Sequence, residues 1–147
     1  MLPFLRIVTE SGICVPRIDL ALAIRHQCET YWRQTRGADR RLYLRLQPLI
    51  LDLDRVGLLT ESVRALLTGG LSPGFSPQHG GIGVHLWSVD LPGQVGILLI
   101  ADSGTEWLGE PSTPSITEAR QYAEKAGCCL VWQPARGAVW RIHIPTN

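Results

Sequence analysis

Three times along the 147 residues, a stretch with apolar side chains at three- and four-residue steps is followed by two stretches of strand-like, alternating or continuous apolar character. This order of helix, two strands, helix, two strands, helix, two strands constrains the fold more than any single motif. Leu20, Ile24, Cys28, Tyr31 and Trp32 make the first stripe, introduced by Pro16 and Asp19 and ending before Gly37. Arg41 to Gln47 then alternates strictly, placing Leu42, Leu44 and Leu46 on one face of a half-buried strand, and Pro48 introduces a short apolar piece, Leu49 to Leu53. Asp54 is the expected cap of a second helix whose buried face is Val56, Leu59, Val63, Leu66 and Leu67 and which stops at Gly69-Gly70. After a Pro- and Gly-rich loop, Gly83 to Val89 and Val95 to Ala101 flank the turn residues Leu91-Pro92-Gly93-Gln94, a hairpin pattern. A second loop, Asp102 to Pro114, leads to a helix from about Ser115 to Ala126, with Ser115 or Thr117 near Glu118 as its capping signature. A last hairpin, Cys128 to Gln133 and Ala138 to Ile144, closes the chain. Single helices alternating with strand pairs predict an α+β fold, a two-layer sandwich in which a mixed sheet is covered on one face by about three helices. Residues 1–15 lack a sustained period and read as an N-terminal strand or arm, with Phe4 to Val8 the strand-like part. Residues 16–147 read as one domain.

Composition narrows the function classes. With 45% hydrophobic and 18% charged residues the chain is an ordinary globular protein. A formal net charge of +1 gives no global field to recruit nucleic acid or an anionic membrane. All of the 14 basic residues but Lys125 are arginine, which reads as a solvated-residue bias rather than as a binding patch. Cys14, Cys28, Cys128 and Cys129 form no Cys-x-x-Cys pair and no zinc-ligand spacing with a histidine. Adjacent Cys128 and Cys129 point to opposite faces if they lie on a strand. With no signal peptide and no apolar run of about 20 residues, the expected compartment is the cytoplasm.

The stretch Val95-Gly96-Ile97-Leu98-Leu99-Ile100-Ala101-Asp102-Ser103-Gly104 is similar to a strand running into an Asp-x-Gly-x-Gly box. With the closing segments Cys128 to Trp132 and Arg136 to Pro145, and with Leu49 to Leu67 upstream, it makes residues from about Ile18 to Pro145 resemble the histidine-kinase-like ATPase (Bergerat-type) domain of sensor histidine kinases. The resemblance implies that Asp102 accepts from the adenine amino group, that Gly104 allows the backbone to approach, and that ATP or ADP is the ligand. It also matches Glu61 to a family glutamate that can orient or deprotonate a nucleophile near the terminal phosphate. Several positions depart from the family. The magnesium-holding asparagine aligns with Ala65, which has no oxygen for a hard cation. The second glycine of the box aligns with Glu106, the glycine-rich phosphate lid is replaced by Pro114-Ser115-Ile116-Thr117-Glu118, and the late Gly-Thr pair reads Gly137-Ala138. Magnesium and phosphate therefore lose their partners, and phosphoryl transfer depends on both.

The 17 residues before Ile18 are too few for the family's phosphoacceptor helix pair, so none is expected there. His26 lies on the first helix as a surface residue, His85 and His143 on strands and His79 in a loop, without a triad spacing. The function expected from these residues is a degenerate domain in bacterial two-component or related signalling that works by docking a response regulator, a kinase or a sigma-type factor, binds ATP weakly or not at all, and is not an enzyme. Trp87, Trp107 and Trp140 are its candidate anchors. The alternative is a protein histidine kinase or anti-sigma-type kinase domain that retains nucleotide through Asp102 and Gly104. A homodimer is left open.

Overall fold

The computed structural model of the chain describes residues 4–8, 14–35, 41–72, 75–104, 110–134 and 138–146. The first helix, α1 (Leu20–Gln34), starts where Asp19 turns its carboxylate back to accept from the Ala21 amide at 3.0 Å. The same Oδ1 accepts from the Leu49 amide at 3.0 Å, so one side chain both caps α1 and anchors the chain that returns beside it. Leu20, Ile24, Cys28 and Trp32 are buried, as their spacing predicts. The second helix, α2 (Leu53–Gly69), is flanked by Asp52 rather than by the expected Asp54, which sits in its first turn instead. The third, α3 (Pro114–Lys125), is capped by Thr113, whose hydroxyl accepts from the Ile116 amide at 3.1 Å. The cap expected at Ser115 or Thr117 thus lies earlier, because Pro114 is suited to the first helical position and needs no amide partner there.

Five strands form the main sheet: β3 (Leu42–Leu46), β5 (Ile82–Leu91), β6 (Gln94–Asp102), β7 (Cys129–Gln133) and β8 (Val139–Pro145), in the order β3-β5-β6-β8-β7. β3 runs parallel to β5 and all other neighbours are antiparallel, so the sheet is mixed. The β5–β6 hairpin turns at Gly93, whose φ of 77° is a conformation that glycine adopts without strain. Alternate residues, among them Val84, Leu86, Leu98, Ile100, Trp140 and Ile142, join the buried faces of the three helices in one core. The expected α+β sandwich, a mixed sheet with three helices on one face, is the fold observed.

A second, three-stranded sheet was not legible in the sequence. β1 (Phe4–Val8), β2 (Cys14–Asp19) and β4 (Ile50–Asp52) pair antiparallel in the order β1-β2-β4. The sequence reads Pro16 as a helix approach, yet it lies inside β2, opposite Arg6 and outside the Arg17–Asp19 part that pairs with β4. A proline, which cannot donate to a ladder, is tolerated where one side of the strand is unpaired. Among the described residues Arg55 is the one buried arginine: its Nε donates to the Ala126 carbonyl at 3.1 Å and its Nη2 to the Pro145 carbonyl at 2.9 Å, joining α2 to the end of α3 and to β8. The free carbonyls at a helix C-terminus suit a cation. Among the described residues no helix is long and apolar enough to cross a membrane.

Candidate functional site

β6 ends at Asp102 with its side chain turned into the molecule, 7% exposed. Oδ2 accepts from the Ser72 amide at 2.8 Å and from the Ala138 amide at 3.3 Å, and Oδ1 accepts from the Gly104 amide at 2.7 Å. Its own amide donates to the Ala138 carbonyl at 3.2 Å. One carboxylate thus joins the loop after α2, the turn after β6 and the start of β8. Ser103 extends the junction, its amide donating to the Gly81 carbonyl at 3.0 Å and its hydroxyl accepting from the Gly81 amide at 2.7 Å. At Gly104 a Cβ would lie 2.6 Å from the Ser72 Cβ and 2.8 Å from Asp102 Oδ1, so close packing excludes any side chain. Tyr31, half-buried on α1, has its hydroxyl pKa pushed up, first by burial and then by the negative charge of Asp102.

Glu61 lies on α2 and is not part of that junction. Its Oε2 meets Arg64 Nε at 2.8 Å, and the same guanidinium donates through Nη2 to Glu118 Oε1 of α3 at 2.6 Å. The hydrogen bonds that Arg64 donates to Glu61 and then to Glu118 raise its pKa. Ala65, one residue on, is fully buried in the core. The neighbouring Ser62 hydroxyl donates to the Ala119 carbonyl at 2.7 Å inside the α2–α3 contact. A methyl group in a dry contact and a carboxylate already paired with arginine are a poor donor set for magnesium, a hard cation that demands several oxygens. Among the described residues no group of three or more His, Cys, Asp or Glu could hold a metal ion.

Pro114 to Glu118, which the sequence resemblance aligns with a phosphate lid, form the first turn of α3. There the Ile116 amide is taken by the Thr113 hydroxyl and the Thr117 amide by the Thr113 carbonyl, so the helix end is closed by its own cap. Glu106, Gly137 and Trp107 lie outside the described residues. Trp140 is not an exposed anchor: it is 1% exposed, and its Nε1 donates to the Gly70 carbonyl at 2.8 Å. Trp87 is half-buried and stacks on His85, ring centroids 3.6 Å apart. His26 and His79 are exposed.

No family model and no curated protein matches the sequence. Solved structures do. The histidine kinase domain of the blue-light activated histidine kinase of Erythrobacter litoralis EL346 superposes with a TM-score of 0.72 at 16% identity, covering 87% of this chain and 61% of that one. The mycobacterial sensor histidine kinase MprB gives 0.69 at 21% identity, covering 89% of this chain and 97% of that one. The chain has the histidine-kinase-like ATPase fold. A bacterial phosphotransferase shares it at a TM-score of 0.58 and 17% identity, covering 86% of this chain and 64% of that one. The present domain therefore spans less than two thirds of some of the chains it resembles. Within the histidine-kinase-like fold, Asp102 and Gly104 stand together at the end of β6, whereas Glu61 belongs to an ion-paired contact between two helices.

Proposed function

We propose that this histidine-kinase-like domain binds ATP weakly or not at all and acts in bacterial signal transduction, in the cytoplasm, by docking a response regulator, a kinase or a sigma-type factor. The observation that carries the reading is the state of Asp102: the carboxylate that would select adenine is buried and bonded to three backbone amides. Its work is to hold loops together. The metal and phosphate positions agree with this, since Ala65 is core, Glu61 is paired with Arg64, and the α3 end is capped from within. Metal and phosphate contacts carry phosphoryl transfer through positioning and charge neutralisation, so a domain without them loses the chemistry first and affinity second.

A second reading, a nucleotide-binding kinase domain, is favoured by one specific detail. Oδ1 of Asp102 accepts a single amide, and a carboxylate oxygen has room for a second donor, enough for an adenine amino group. Calorimetry with millimolar ATP and magnesium separates the two. No heat is expected. Micromolar binding that disappears in Asp102→Ala would overturn the docking reading and establish the second.

A further inference from the structure

The outer face of the main sheet, opposite the helices, has a composition of its own. Because side chains alternate across a strand, the partners of the core-facing rows form outward rows, which the strand register defines. One row reads Arg45, His85, Leu99, Arg141, Val131 across β3, β5, β6, β8 and β7. The next reads Trp87, Ile97, His143, Cys129. On the other side, Tyr43, Gly83 and Ala101 lie abreast. These rows contain no carboxylate, and among the described residues none pairs with Arg45 or Arg141. Down the middle runs an apolar column on β6: Ile97, Leu99 and Ala101. Tyr43 is 62% and Val131 40% exposed. A hollow of about 220 Å³ opens over Gly83, walled by Tyr43, Arg45, His85, Leu99 and Ala101. A Cβ built on Gly83 would meet nothing within 4 Å, so the depression exists because no side chain fills it. On the same face Arg141 Nε and His143 Nδ1 are covered yet have no hydrogen-bond partner among the described residues.

We infer that this face docks an acidic amphipathic helix of a partner protein, its apolar stripe along β6 with one side chain in the hollow over Gly83 and its flanking carboxylates on Arg45 and Arg141. Strands lie about 4.8 Å apart, which places the two arginines about 14 Å apart at the backbone. A helix roughly 10 Å across fits between them with both flanks in reach. Charge complementarity selects the occupant. A second copy would bring arginine against arginine. Single-stranded nucleic acid needs a cationic track with successive free aromatic faces, whereas here the centre is aliphatic, the Trp87 ring is stacked on His85 and the exposed Tyr43 stands on the edge strand β3. Apolar centre and cationic rim are the complement of an amphipathic acidic segment. The inference gives the docking reading its surface and rests on that reading only for the existence of a protein partner.

The test titrates isotope-labelled protein with a synthetic helical peptide of about 18 residues, leucine at three- and four-residue steps flanked by glutamate, beside a control with lysine for every glutamate. The acidic peptide is expected to shift resonances of Arg45, Leu99, Ala101 and Arg141, with affinity falling as salt rises, and the lysine peptide to leave them unmoved. Gly83→Val, which fills the hollow without touching the core, is expected to weaken binding by about tenfold or more while the melting temperature holds. Arg45→Glu with Arg141→Glu is expected to exchange the preference, binding the lysine peptide instead. Equal binding of both peptides, shifts on another face, no binding, tighter binding of a thymidine oligonucleotide, or self-association abolished by Gly83→Val would each overturn the inference. The ATP calorimetry reports separately: nucleotide heat beside a positive peptide titration sinks the nucleotide-free reading alone, and a silent titration without nucleotide heat sinks the surface alone.

Discussion

Asp102 shows how a single side chain can be both the strongest functional signal in a sequence and a structural fastener. Backbone amides at Ser72, Gly104 and Ala138 all need acceptors at a buried or part-buried junction, and an ionised carboxylate is acceptor-only. Asp102→Asn turns one oxygen into an NH2 group, which must face one of these donors. At least one buried amide is then left unpaired, and the expected loss is about 1–3 kcal/mol of stability, read from the urea midpoint. An unchanged midpoint would show that the three bonds do not hold the loops. The residue itself is legible in the sequence as a strand-end Asp before Gly. Its three partners are not, because they come from residues 30 and 36 positions away as well as from the next turn.

At the scale of elements, the α2–α3 contact fixes the first turn of α3. Its anchor points are Ser62 to Ala119, Arg64 to Glu118 and Thr113 to the Gly69 carbonyl at 2.9 Å. At Gly69 a Cβ would stand 2.5 Å from the Cβ and Oγ of Ser115, so the helices approach closely because that residue is glycine. Alanine normally favours a helix over glycine by about 1 kcal/mol. Here the sign is expected to reverse: Gly69→Ala should destabilise by about 1–3 kcal/mol through overpacking. Adding Ser115→Gly should recover part of the loss, both read by thermal melts. A raised melting temperature in the single variant would mean the two helices are free to separate. The apolar periods foretold both helices, but not which hydroxyl near Pro114 is the cap. That choice follows from Thr113 reaching Gly69 across the contact, a partner 44 residues away.

For the whole molecule, burial of the α1 stripe has a consequence for alkaline stability. The Cys28 thiol, 1% exposed in the core, is pushed up from 9.0 to about 12, first by burial and then by Glu29, against the opposing effect of Arg25. A thiol that stays neutral in the fold and ionises in the unfolded chain contributes full stability below about pH 9, progressively lost as pH rises toward 12. Urea unfolding at pH 8 and pH 11 should therefore show a weaker protein at the higher pH, with a smaller difference in Cys28→Ala. An equal difference in the variant would assign the alkaline loss to other groups. By itself the sequence determined the element order from α1 onward, the helical and strand faces and the α+β class, because periods of 3.6 and 2 are local and repeat within ten or so residues. Tertiary structure alone decided the second sheet, in which β2 finds β1 and β4, and the β3-β5-β6-β8-β7 order that sets Arg45 and Arg141 on either side of an apolar column. It also decided that Asp102 ends among backbone amides. Strand pairing and register depend on residues far apart in the chain, and no local pattern encodes them.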